Sequence, residues 1–230
     1  AKSMEEELGI TFTVSSEDGC LKIAASGENG HASTPWKGKN ALTGLLALIE
    51  RLPLAECGQL KAVRALNHLM PHGDWYGEAL GIKMSDEESG ELTLAFSMLD
   101  ISEKSLEGEF DSRCPICATK ENTIDVIREK MEEDGISFNT EEMKPPHHVP
   151  ADSDFVKTLL SAYEKYSGRK GECIAIGGGT YVHNLKNGVA FGAALPETEN
   201  HMHGPDEFAV VDELTMSAKI FAQVIVDLCC

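Results

Sequence analysis

Lys144-Pro145-Pro146-His147-His148-Val149-Pro150 places three prolines within six residues. Proline has no backbone N–H and its ring fixes φ, so this stretch enters neither a helix interior nor a central strand. The chain of 230 residues is thereby cut into a longer first part and a shorter last part. A length of that order accommodates one large domain or two small ones, with enough interior to bury a core. The cut predicts a domain boundary: residues 1–146 on one side and 147–230 on the other.

The periodicities on the two sides differ. Ile10 to Ser26 alternates polar and apolar residues around Glu17-Asp18-Gly19, which predicts strand, turn, strand. A glycine-rich loop, Gly27 to Gly38, leads into Asn40 to Leu52. There Leu42, Leu45, Leu46 and Ile49 recur at helical spacing until Pro53. Leu60 to Leu69 reads as a second helix. Ile82 to Met84, Leu92 to Leu99 and Ser105 to Ser112 read as antiparallel strands. Thr123 to Asp134 is an amphipathic helix with Gly135 as its stop, and Ile136 to Met143 reads as a further strand. The first part is therefore predicted to be an α+β sandwich. After the prolines the pattern is a helix from Ser153 to Tyr166, strands Cys173 to Ile176 and Gly188 to Ala194, and a helix from Asp212 to Leu228. That order suits part of an α/β layer.

Charge narrows the partners. Twenty Lys and Arg stand against 38 Asp and Glu, a net charge of −18. Such a chain repels phosphate backbones, so no nucleic acid is expected as a partner. No apolar stretch is long enough to span a bilayer, and the start, Ala1-Lys-Ser-Met-Glu-Glu-Glu7, holds no apolar signal core; no membrane partner is expected. The seven cysteines are scattered and odd in number. They read as reduced thiols of a cytoplasmic protein.

Several constellations carry chemistry. Leu195 to Phe208 contains His201 and His203 beside Glu199, Asp206 and Glu207. In extended backbone i and i+2 share a face, so the two imidazoles can approach one metal, or one can bind while the other assists. Zn²⁺, Mn²⁺ and Co²⁺ suit those donors; a hydrophilic surface loop fits the same spacing. Ile176-Gly177-Gly178-Gly179-Thr180 follows an apolar run and can present N–H groups to an anion, or be only a tight turn. It is neither a P-loop nor a dinucleotide fingerprint. His31, within Gly30-His31-Ala32-Ser33-Thr34-Pro35, has small neighbours that leave its ring free to reach outwards. Ser33 lacks the elbow context of a nucleophile. Arg113, at a strand end, can clamp a carboxylate or simply pair with Asp111. Cys114-Pro-Ile-Cys117 admits a thiol-redox reading, His68 and His72 are separated by Pro71, and His147-His148 reads as polar loop.

These pieces together resemble the di-zinc metallopeptidases that include carboxypeptidase G, aminoacylase and carnosinase, and among them bacterial PepV-type (Xaa-His) dipeptidases. Gly30-His-Ala-Ser-Thr-Pro35 with Gly38-x-Asn40-Ala41 resembles the lid motif. Gly73-Asp74…Gly77-x-x-Leu80-Gly81-Ile82, Gly90-x-Leu92-Thr93, Asp111-x-Arg113-x-Pro115 and Gly177-Gly-Gly-Thr-Tyr181 add to it. So does Pro196-Glu197-x-Glu199…His203-x-x-Asp206-Glu207. The order and spacing cover nearly the whole chain.

The resemblance implies an α+β lid domain over 1–146, an antiparallel sheet with helices on one face, incomplete at its N-terminus. Residues 147–230 would be a C-terminal α/β piece of the catalytic domain. It implies His203 as a metal ligand, His31 as the donor to the tetrahedral intermediate, and Arg113 with Gly178, Gly179 and Thr180 as the seat of the substrate carboxylate. The implied cofactor is zinc, two ions per full-length site, with Mn or Co as alternatives; the implied substrate is a dipeptide. PepV-type lids supply their histidine within one chain, which implies a monomer. The family's catalytic half, with its His-x-Asp metal motif in context, finds no counterpart here, and the Glu-Glu pair that supplies the base and one ligand lacks its context, Glu87-Glu88 being a turn. The chain is therefore expected to be a fragment of a metallodipeptidase and inactive alone. The alternative is a non-catalytic carboxylate-binding module with the lid fold.

Overall fold

The computed structural model describes residues 2–192, 195–201 and 205–230. Contacts divide them into two compact units. The first runs to Pro146 and includes Ala175–Gly178; the second comprises His147–Ile174 and the residues from Gly179 onward.

In the first unit a short helix, α1 (Lys2–Leu8), precedes the hairpin β1 (Thr11–Glu17) and β2 (Cys20–Ser26). Glu17 pairs with Cys20, leaving a two-residue turn. Asp18 and Gly19 both take positive φ, 47° and 79°, as the turn that matches strand twist requires. The helices α2 (Ala41–Glu50) and α3 (Gly58–Leu69) follow. Asn40 caps α2: its side-chain oxygen accepts the N–H groups of Leu42 and Thr43, and its amide donates to the Phe96 carbonyl at 2.7 Å. One residue thus starts the helix and fastens it to a strand.

A small hairpin, β3 (Ser85–Asp86) with β4 (Gly90–Glu91), precedes the main pair, β5 (Thr93–Ile101) and β6 (Leu106–Arg113). Register in the main pair runs from Thr93 opposite Arg113 to Ile101 opposite Leu106, with a bulge between Phe96 and Met98. Leu46, Val63, Leu66 and Leu69 from the helices meet Leu80, Ile82, Leu92, Leu94 and Phe96 in one core. Ile127 and Met131 of α4 (Ile124–Glu133) complete it. The apolar stripes of the sequence are the faces that meet here.

Among the described residues the strands are antiparallel, as expected, and form three separate two-stranded pairs. Ile136 to Met143, expected as a strand, has no ladder. It is held by side chains: Phe138 stacks on Phe110 at 5.8 Å and the Arg128 guanidinium donates to the Thr140 carbonyl. Ile82 to Met84 is buried at Ile82 but irregular, the ladder starting at Ser85.

In the second unit α5 (Asp154–Ser167) packs on α6 (Val211–Cys229) through Leu159, Ala162, Ile220 and Val224. Ser153 caps α5 and Gly168, in left-handed conformation, ends it. The apolar runs expected as strands, Cys173 to Ile176 and Gly188 to Ala194, carry no ladder among the described residues. Ile174 is 81% exposed, and a lone run with neither a hydrogen-bonding neighbour nor a buried face has nothing to hold it as a strand. Beside the buried stripe of α6 lies a second apolar one, Leu214, Phe221, Ile225 and Leu228, all exposed. Among the described residues no helix is long and apolar enough to cross a membrane.

Candidate functional site: the His31 loop and Arg113

The loop that carries His31 is closed at its base. Glu28 and Lys39 exchange backbone hydrogen bonds of 3.1 and 2.8 Å. Gly30 and Gly38 abut so closely that a Cβ on Gly30 would lie 2.9 Å from the Gly38 backbone. A tight turn follows, with the Thr34 N–H donating to the His31 carbonyl at 2.8 Å. Inside it the Ser33 N–H donates to His31 Nδ1 at 3.2 Å, and the Ser33 hydroxyl lies 2.7 Å from the same nitrogen. The imidazole is exposed to solvent.

The buried Thr93 ties this loop to the sheet. Its hydroxyl donates to the Ala32 carbonyl at 2.7 Å, and across the ladder its partner is Arg113. One residue therefore links the His31 loop to the strand position of Arg113. Asp111, two residues before Arg113 and on the same face, takes one edge of the guanidinium. Nη2 donates to Oδ2 at 2.7 Å, and Nε lies 2.7 Å from Oδ1 without pointing at it. Nη1 makes no hydrogen bond among the described residues, so one edge of the guanidinium remains for a further acceptor.

Gly177 completes the group. A Cβ there would stand 2.6 Å from Ser33 Cβ and 3.4 Å from Arg113 Cβ, so only glycine allows this backbone to lie against both. Gly178 and Gly179 face open space instead. His31, Arg113 and Gly178 thus sit in or beside one assembly of the first unit, while Gly179 and Thr180 fall in the second. Thr93, Asp111 and Gly177 were not singled out by the sequence as site residues. Thr93 and Asp111 do stand inside the quoted motifs, and Gly177 opens the glycine run.

The metal-ligand position His203 lies outside the described residues. His201, its alternative, has φ of 56° and sets its ring edge-on to Phe208 at 5.8 Å. Arg169 grips Glu197 from the same loop, which lowers that carboxyl from its usual value. Among the described residues no three His, Cys, Asp or Glu side chains converge as metal donors, so these residues alone do not make a metal site.

The other candidates are occupied structurally. His72 bridges the Thr43 hydroxyl and the Leu8 carbonyl, and His68 faces Asp134. His147 meets the Gly188 carbonyl. Burial pushes the Cys114 thiol up, and desolvation with the Asp86 carboxylate pushes Cys117 up as well. A redox pair needs a stabilised thiolate, so both shifts run against that reading.

The chain has relatives among known proteins. The chain is 37% identical over 215 residues to the Bacillus subtilis (strain 168) protein named "Putative dipeptidase YtjP", covering 92% of this chain and 45% of that protein. It is 32% identical over 228 residues to "Beta-Ala-Xaa dipeptidase" of Lactobacillus delbrueckii subsp. lactis, covering 97% of this chain and 47% of that one. The chain thus spans about half the length of these relatives. The pattern of Peptidase family M20/M25/M40, whose members are generally metal-dependent, matches residues 6–227, and the chain belongs to that family.

Proposed function

We propose that this chain is the lid, together with the closing part of the catalytic domain, of a longer metallodipeptidase. Residues 1–146 form the lid and 147–230 belong to the catalytic domain. The substrate is a dipeptide, Xaa-His among the candidates, hydrolysed in the cytoplasm by a monomeric enzyme. The observation that carries the reading is the assembly of Arg113, the His31 loop and Gly177 around Thr93 in one unit. The names of the relatives support the reaction class, and the exposed second stripe of α6 supports its place in a larger layer.

Each residue has a stated task. The open edge of Arg113 and the N–H groups of Gly178, Gly179 and Thr180 take the free carboxylate of the substrate. Holding that end fixes the distance to the scissile bond and restricts the enzyme to very short peptides. His31 donates to the oxygen on which negative charge develops. His203 is this chain's contribution to a zinc site, with manganese or cobalt as alternative ions, whose other ligands and general base lie in the rest of the enzyme. No step at the metal follows from the residues described.

Incubation of the purified chain with zinc and dipeptides tests the fragment reading; no hydrolysis is expected. Robust turnover by these 230 residues alone would overturn it. In the longer enzyme, His203→Ala is expected to lose one bound metal and His31→Ala to lose rate with metal retained. A His203→Ala variant with full metal occupancy would pass the ligand role to His201.

A further inference from the structure

We propose that Ser33 and Thr93 are positioning residues: Ser33 sets the tautomer of the neutral His31 imidazole, with the proton on Nε2, and Thr93 fixes the loop on which the ring stands. A backbone N–H can only donate. The Ser33 N–H, 3.2 Å from His31 Nδ1, therefore needs a lone pair on that nitrogen. The Ser33 hydroxyl, 2.7 Å away, supplies a second donor to the same atom. A proton on Nδ1 would turn the first contact into two opposed N–H groups and reverse the second. The single proton of the neutral ring is left on Nε2.

The backbone of the loop is anchored. Its base is closed by the Glu28–Lys39 pair, and the Thr34 N–H returns to the His31 carbonyl. The buried Thr93 hydroxyl holds the Ala32 carbonyl between the two residues that make the contact. Thr93 also faces Arg113 across the ladder, so the orientation of His31 is referred to the strand that carries the guanidinium. Ser33 packs its Cβ toward Gly177, and Ser33→Ala keeps that carbon while removing the hydroxyl.

The assignment deepens the reading of His31 as an oxyanion donor, and its catalytic meaning rests on that reading. The tautomer itself needs no substrate and no metal. It is read on the 230-residue chain by long-range ¹H–¹⁵N correlation of the His31 ring at a pH where the ring is neutral. The expected spectrum is dominated by the form with an unprotonated Nδ1 and a protonated Nε2, the Nδ1–H form being a smaller share than in a free peptide. Ser33→Ala is expected to raise the Nδ1–H share about 2- to 10-fold, the worth of one neutral hydrogen bond, and Ser33→Thr to restore the wild-type share. Thr93→Val, which keeps the shape at the buried site, is expected to raise the Nδ1–H share without touching the ring. A wild-type ring that is protonated on Nδ1, or mixed as in a free peptide, overturns the proposal, as does a Ser33→Ala spectrum identical to wild type. If the tautomer is fixed as stated while His31→Ala leaves the rate of the longer enzyme unchanged, the positioning stands and the oxyanion role fails.

Discussion

Some single residues tie separate segments of this chain together. Asp86 is one: its carboxylate accepts the N–H groups of Glu88, Ser89 and Cys117, and the Ser89 hydroxyl. Hydrogen bonds to the ionised form, those from Ser89 first, hold its pKa down, from an ordinary 3.8 to about 2. A lowered folded-state pKa stabilises the fold above the unfolded value, and that contribution is lost as pH falls through the folded one. The stability gap between wild type and Asp86→Asn, measured by denaturant unfolding, is therefore expected to be full at pH 6 and to close between about pH 4 and pH 2. Asn40 is the second tie. Asn40→Ala removes a helix cap and a bond to the Phe96 carbonyl, at an expected cost of about 2 kcal/mol in chemical denaturation. The tie from Thr93 to Ala32 has no signature in sequence, because 61 residues separate the partners. Arg113 and Asp111, two apart on one strand, show theirs as an i, i+2 pair.

At the scale of elements, the helices were legible and the sheets less so. Capping residues and the 3.6-residue stripe are local, and α2 to α6 stand where those signals put them, within a few residues. Strands depend on a neighbour that no local pattern names. Ile136 to Met143 alternates as a strand does, yet Phe138 finds Phe110 and no ladder forms. Cys173 to Ile176 is apolar without a partner among the described residues. The stop of α4 shows how local chemistry succeeds. Gly135, at φ of 73°, lets the Ile136 N–H return to the Met131 carbonyl at 2.8 Å, the double-bonded helix ending that glycine favours. Gly135→Ala is expected to destabilise the first unit by about 1 kcal/mol, read as a lower thermal midpoint.

For the whole molecule, the proline segment marks the step between two contact-defined units, and α6 exposes a second apolar stripe beside its buried one. In the proposed account, the lid unit supplies orientation and the rest of a longer enzyme supplies the reaction centre. Its central claim is that Arg113 receives the substrate carboxylate. The direct measurement is the KM of the longer enzyme and of its Arg113→Ala variant, each with a dipeptide and with the same dipeptide carrying a C-terminal amide. A charge-assisted contact of this kind is worth about 1.5–3 kcal/mol, so KM for the dipeptide should rise roughly 10- to 100-fold. The amide should bind both proteins alike. Equal KM values for the dipeptide in the two proteins, or the same loss on the amide, would contradict the account.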